Sequence, residues 1–260
     1  ETQLAYKIVD DIKHSWEPLP YQAFLIPKMT EGMRVVEKAP FRELIIQQHI
    51  LDLLRNVLDN TFEEESIGFR KGLSRESAID HLNQALSEGY DYVVESDIAD
   101  FFPSIQLEFL LSLLDNVLPN ADQLLRKTLK QILFAPRELK GQLELREKGL
   151  AAGSPLSPLL ANFYLDAFDE RIKTHGVKLI RFADDFIILT KGYDMAQTLL
   201  GLADDYLKDL GLKLKLEKTA IKPICDGFIF LGIQFSGESG SFQKKNTNHL
   251  LRKPVYIIEP

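Results

Sequence analysis

The run Arg181-Phe182-Ala183-Asp184-Asp185-Phe186-Ile187-Ile188-Leu189 sets two adjacent carboxylates between apolar segments. Its pattern predicts a strand over 177–181, an acidic turn at Asp184-Asp185 and a second strand over 186–190. Neighbouring carboxylates repel each other unless something cationic lies between them. A lone Asp-Asp is usually no more than a polar hairpin turn. A second acid in similar surroundings makes this one worth following: Tyr92-Val93-Val94-Glu95-Ser96-Asp97 reads as a strand that also ends on an aspartate. Magnesium is the hard ion that takes carboxylate oxygens and keeps positions for water and phosphate. A carboxylate on the neighbouring strand would complete a two-ion clamp for an in-line phosphoryl displacement.

Outward from these acids, apolar spacing predicts helices near 3–15, 40–58, 75–87, 106–118, 121–134, 158–173 and 193–210, the last stopped by Gly211. Leu44, Ile45, His49, Leu51, Leu54 and Leu58 mark the expected inner side of the helix over 40–58. Strands are expected over 21–28 and 33–38, as a hairpin around Thr30-Glu31-Gly32, and over 213–221 and 228–235. The polar segment 137–148 suggests another hairpin, 70–74 a basic loop, and 237–248 a polar, loop-like tail. This order of elements implies an α+β fold, an antiparallel sheet covered by helices on one face.

Composition bounds the rest. The chain has 260 residues, 45% of them hydrophobic and 10% aromatic, too apolar for a disordered chain. No run approaches the roughly 20 apolar residues of a membrane helix, so no membrane partner is expected. A single cysteine, Cys225, excludes an internal disulfide framework. With no leader and no initial methionine, the chain reads as a cytoplasmic excerpt of something longer. The net charge of −7 conceals an uneven distribution: residues 205–253 carry nine Lys/Arg against five Asp/Glu. Nucleic-acid affinity is therefore expected from local basic strips or from partners.

Read together, the segments resemble the reverse transcriptases, and specifically the bacterial group II intron-like lineage, from about Tyr21 to Ser236. Leu25-Ile26-Pro27-Lys28 with Gly32 and Arg34 is similar to the family's fingers hairpin, and Ser66-Ile67-Gly68-Phe69-Arg70 followed by Ser77-Ala78-Ile79 to its next fingers motif. Asp97-Ile98-Ala99-Asp100-Phe101-Phe102 resembles the first palm motif. Residues 149–162, Gly-Leu-Ala-Ala-Gly-Ser-Pro-Leu-Ser-Pro-Leu-Leu-Ala-Asn, resemble the glycine-rich loop and helix. Phe182-Ala183-Asp184-Asp185 is similar to the catalytic turn, with Phe where Tyr is commoner. Gly211-Leu212 with Glu217-Lys218-Thr219, then Phe230-Leu231-Gly232-Ile233, resemble the motifs that close the palm.

The resemblance implies a right-hand polymerase with fingers over 1–90 and palm over 91–236, a helical insertion near 106–148, a linker and possible start of a downstream domain over 237–260, and a thumb absent or truncated. It implies an RNA-directed DNA polymerase that takes an RNA template, a DNA or RNA primer and deoxynucleoside triphosphates. Asp97, Asp184 and Asp185 would hold two magnesium ions, with manganese able to substitute and the Ile98 carbonyl as a further ligand. Lys218 would protonate the leaving pyrophosphate. Lys28 and Arg34 would close on the triphosphate, the backbone amides at Ala99, Asp100 and Phe101 would reach phosphate oxygens, and Phe102 would lie under the sugar and exclude ribonucleotides. One of Phe101 and Phe102 is expected to fill the core instead. Phe230, Leu231 and Gly232 would grip the primer.

Two departures stand out. Ala151-Ala152 occupies the place where the family commonly has Pro-Gln, so Ala152 stands where a glutamine would touch the nucleotide. Few residues follow Leu231-Gly232, too few for a helical thumb. The terminal stretch 251–260, Leu-Arg-Lys-Pro-Val-Tyr-Ile-Ile-Glu-Pro, resembles the opening strand of the CRISPR spacer integrase, which implies a fused or associated integrase and a role in acquiring spacers from RNA. A final edge strand of the palm is the alternative for that stretch. An intron maturase-type enzyme, an anti-phage reverse transcriptase and a catalytically weakened integrase scaffold remain alternatives for the whole. A template-free palm cyclase is disfavoured by the template-side segment 149–162.

Overall fold

The computed structural model describes residues 10–14, 16–28, 32–118, 123–238 and the strand Ser241–Asn246. The centre is a four-stranded sheet built from β3 (Tyr92–Asp97), β6 (Lys178–Phe182), β7 (Asp185–Thr190) and β8 (Ala220–Pro223), ordered β6-β7-β3-β8 and antiparallel throughout. Its strands alternate between two cores, as the period of two requires. Val94, Leu179, Phe186 and Ile188 face the helices Phe41–Leu58, Leu107–Val117, Ser157–Lys173 and Tyr193–Asp209. Val93, Ile180, Ile187 and Leu189 face the helix Arg75–Leu86 together with β9 (Phe228–Phe230) and β10 (Ile233–Glu238). The helix Ser157–Lys173 is buried on most sides because Leu160, Tyr164, Leu165 and Phe168 each lie almost wholly inside.

A second sheet, ordered β2-β1-β4-β5, contains the expected hairpin β1 (Tyr21–Pro27) and β2 (Met33–Lys38). The expected second hairpin, β4 (Arg137–Leu139) and β5 (Gln142–Glu144), joins it through a parallel pairing of β1 with β4. The end of the segment expected as a palm insertion thus extends the sheet of the β1–β2 hairpin.

Four local expectations are corrected. The helix Phe41–Leu58 buries Glu43, Ile46, Gln47 and Ile50, whereas Ile45 and His49 are exposed. The inward face carries polar residues that have buried partners, so the apolar count alone misplaces it. Residues 213–221 are not one strand: Leu214 bridges Ile98, a 3-10 turn occupies Leu216–Lys218, and β8 follows. Residues 228–235 are a hairpin, because Leu231 (φ 51°) and Gly232 (φ 75°) form a two-residue turn of the left-handed kind that suits strand twist. The polar tail forms β11 (Ser241–Asn246), paired antiparallel to β10. Most of the expected helix over 3–15 and the stretch 251–260 lie outside the described residues.

Candidate active site

The three expected acids meet at one end of the central sheet. Asp97 closes β3, Asp185 opens β7, and the two are register partners. The Ile98 amide donates to the Asp184 carbonyl at 3.2 Å, which makes Asp97 and Asp185 a non-hydrogen-bonded pair. Such pairs are the closer kind, with Cα atoms about 4.5 Å apart and side chains on one face. Asp97 is nearly buried, and Asp184 and Asp185 are half-buried. The Lys218 ammonium bonds the Asp97 carboxylate and lies 3.8 Å from Asp185 Oδ1.

Among the described residues no group of three His, Cys, Asp or Glu side chains is assembled closely enough to hold a metal. The donor set present is a facing pair of carboxylates, a neighbouring third, and an ammonium lying where a cation is wanted. Magnesium commonly binds through one or two carboxylates plus substrate phosphates. The residues fit a hard divalent ion, with Lys218 standing in for it. The Ile98–Leu214 bridge supports the further ligand: Ala99 donates to the Lys213 carbonyl and Lys215 to that of Asp97, a pattern that turns the Ile98 amide and carbonyl away from Leu214 toward the Asp184 side.

Ala183 adopts φ 60°, a strained conformation for a side-chain-bearing residue, immediately before the two acids. Phe182 and Asp185 are register partners, so Ala183 and Asp184 form a two-residue hairpin turn that asks for a positive φ, and a network the sequence does not reveal surrounds it. Arg181 is fully buried and its guanidinium grips Asp169 (Nε to Oδ1, 2.8 Å), Asn162 Oδ1 (3.0 Å), Ser66 Oγ and the Ala183 carbonyl (3.1 Å). Burial pushes the Asp169 carboxyl upward, and the Arg181 charge opposes that shift. From the other side Gly68 packs so tightly that a Cβ there would lie 2.4 Å from the Ala183 nitrogen. Any larger residue at 68 would displace the turn. The Ile67 amide donates to the Arg181 carbonyl and the Arg181 amide to the Glu65 carbonyl, both at 2.9 Å, and Asn162 donates to the Gly68 carbonyl at 2.6 Å.

Around this centre the remaining residues divide. Lys28 reaches Asp100, with Nζ 3.1 Å from Oδ1, so the end of the β1–β2 hairpin touches the segment after Asp97. Arg34 lies half-buried on β2 opposite Ile26, and its Nε has no hydrogen-bond partner. The Ala99 amide is already given to Lys213, which corrects its assignment as a phosphate donor. Phe101 is buried in the helical core, and Phe102, half-buried, is the more exposed of the two rings. Ala152 is half-buried, and its carbonyl accepts the Glu37 amide at 2.7 Å. Phe230 packs into the core under the Leu231-Gly232 turn, and the preceding Ile229 amide donates to Glu95 Oε1 at 3.1 Å.

Sequence reading also misses how the fingers strand is attached. Glu37 and Arg146 form a buried ion pair, with Arg146 also donating to the carbonyls of Ala135 and Gly149. Gly153 packs against the Glu37 carbonyl, 2.1 Å from where a Cβ would sit. A buried chain runs from Ser154 through Gln47 to Tyr21, and burial raises the Tyr21 phenol. Asp166, on the helix Ser157–Lys173, is pushed up to about 7 by burial and then by Asp169 and Glu170. The Glu37–Arg146, Glu37–Gly153 and Gln47–Ser154 contacts join residues about a hundred positions apart, so no local motif signals them.

The chain matches the family described as reverse transcriptase (RNA-dependent DNA polymerase) over residues 26–235. It is 28% identical to the group II intron-encoded protein LtrA of Lactococcus lactis over 177 residues, 67% of this chain and 29% of that protein. Telomerase from Candida tropicalis, solved with a fragment of telomeric RNA, superposes with a TM-score of 0.69 at 14% identity, covering 98% of this chain and 49% of that one. A chain of a partial Cas6-RT-Cas1–Cas2 complex is 37% identical with a TM-score of 0.46, covering 80% of this chain and 36% of that one. The chain spans less than half the length of each of these relatives. No helix among the described residues is long and apolar enough to cross a membrane. A central sheet with paired acids at its end, the fold shared with telomerase and the match across most of the sequence lead to one conclusion: the chain belongs to the reverse transcriptase (RNA-dependent DNA polymerase) family.

Proposed function

We propose that this chain is the fingers and palm of a cytoplasmic, magnesium-dependent reverse transcriptase that copies RNA into DNA for CRISPR spacer acquisition, alongside a fused or associated spacer integrase. The observation that carries the polymerase reading is the in-register Asp97–Asp185 pair with Asp184 in the adjoining turn. Residues 1–90 serve as fingers and 91–236 as palm, with the β4–β5 hairpin lent to the fingers sheet. The CRISPR setting rests on the likeness of residues 251–260 to the opening strand of a spacer integrase.

Asp97, Asp184 and Asp185 would hold two magnesium ions, with the Ile98 carbonyl as a further oxygen ligand. Bound there, the ions supply acidity to the primer 3′-hydroxyl and neutralise charge on the departing pyrophosphate. The chain's own residues do the rest. Lys28 releases Asp100 and, with Arg34, turns to the triphosphate, where a guanidinium matches phosphate geometry. Displaced from the carboxylates, Lys218 stands ready to give a proton to the leaving group. Phe102 lies under the sugar, and the Leu231-Gly232 turn holds the primer end.

Primer extension on RNA and DNA templates, with deoxy- and ribonucleotides, tests the polymerase. Magnesium-dependent deoxynucleotide addition on RNA, lost in Asp185→Asn, is expected, and retention in that variant refutes the assignment. Integration of RNA-templated DNA by a spacer integrase, with the full-length protein, tests the setting; equal integration with Asp185→Asn overturns it.

A further inference from the structure

Phe69 combines three properties that rarely coincide. Its backbone sits at φ 65°, the left-handed region that a bulky aromatic residue avoids. Its side chain is 52% exposed, so burial does not explain its presence. Its ring lies 6.2 Å from the ring of Phe102, tilted by 56°.

Both neighbours hold it there. Gly68 is pressed against the backbone of Ala183, beside the catalytic turn, and its carbonyl accepts Asn162. Arg70 binds Asp59 Oδ1 at 3.0 Å and the carbonyls of Glu63, Ser66 and Asp59 at 2.7, 2.9 and 3.2 Å. The strain at Phe69 is thus imposed by contacts on either side of it, and its product is an aromatic ring presented to Phe102.

We propose that Phe69 is a positioning residue that braces Phe102 and sets how strictly the site rejects ribonucleoside triphosphates. The inference rests on the reading of Phe102 as the ring beneath the sugar. A ring excludes a 2′-hydroxyl only while it cannot rotate away. Phe101 supports Phe102 on one side, edge-on with centroids 5.7 Å apart, and is itself fixed in the core. Phe69 is the second ring against it, and without it Phe102 gains a rotamer that yields to the extra oxygen.

The test compares Phe69→Gly, Phe69→Leu, Phe69→Tyr and Phe102→Ala in the full chain, by single-nucleotide incorporation of deoxy- and ribonucleotides and by thermal melting. Glycine accepts a positive φ without strain, so Phe69→Gly is expected to keep or raise the melting temperature. The same variant is expected to raise relative ribonucleotide use by about tenfold, within the range a pocket gains by rejecting one hydroxyl. Phe69→Leu should do the same in part, which keeps the question answerable if the glycine variant misfolds, and Phe69→Tyr should retain the wild-type ratio. A merely structural role would lower both efficiencies together and leave their ratio alone. An unchanged ratio in Phe69→Gly and Phe69→Leu, with a raised one in Phe102→Ala, overturns the brace and leaves the gate standing. An unchanged ratio in Phe102→Ala removes the gate and this inference with it.

Discussion

Asp97 and Asp185 face each other across the β3–β7 ladder, and the Lys218 ammonium lies between them. Two carboxylates so placed repel when no divalent ion is present. Asp97→Asn is expected to cut primer extension to below about a hundredth of wild type, the scale of losing a charge-stabilising group. Melting in chelator should stay level or rise, because the repulsion is relieved. Extension assays paired with thermal melting check both halves, and persistent extension would remove Asp97 from the site.

Lys218 gives the reverse case. In chelator, Lys218→Met is expected to melt below wild type, since the acids lose their counter-charge. Saturating magnesium should narrow that gap, as the ion takes over the ammonium's place. A gap that is the same with and without magnesium would show that ion and lysine do not share the position.

Arg181 is expected to be the least replaceable residue of the turn. Arg181→Met leaves Asp169 buried without its partner, a change that costs about 3–5 kcal/mol. Urea denaturation measures it. Arg181→Met combined with Asp169→Leu should recover part of the loss, because the orphaned charge is gone. Equal stability of the single and double variants would mean that the orphaned Asp169 charge is not what destabilises Arg181→Met.

Asp166 makes stability depend on pH. Its folded pKa is pushed up to about 7, whereas an unfolded aspartate titrates near about 4. Between those values the folded protein binds the additional proton, so this contribution is present at low pH and lost as pH rises through about 7. Asp166→Asn should exceed wild type by a larger margin near pH 8 than near pH 5. Denaturant titrations at the two pH values test this, and a constant difference between them would contradict it.

Much of the fold was legible because burial and local pattern agree. Tyr92–Asp97 carries adjacent valines because Val93 and Val94 face different cores, and the acidic turn follows directly from its apolar flanks. Where they disagree, the sequence misleads. Leu212, Leu214 and Leu216 alternate like a strand, yet Leu216 is exposed in a 3-10 turn, because the chain changes its pairing from the Asp97–Ala99 segment to the start of β3. Glu43 and Gln47 look like surface residues but are buried, since Gln47 meets Tyr21 and Ser154 and Glu43 accepts the Leu19 amide. Of the site, the acids, Lys28 and Lys218 were visible as motifs. The Arg181 network was not, because Ser66 comes from a distant loop while Asn162 and Asp169 come from the helix Ser157–Lys173.

The clamp at the base of the fingers hairpin has a mechanical consequence. Glu37 is pinned by Arg146 and by the close approach of Gly153, whereas Lys28 lies at the far end of the same hairpin, touching Asp100. A beam fixed at one end bends near its free end and cannot swing as a whole. On the proposed function, closure on a nucleotide then amounts to a short stroke of the tip, with the root and the loop that carries Ala152 serving as an anvil. Stiffening substitutions should therefore slow the enzyme when placed toward the tip and leave it unaffected when placed at the root.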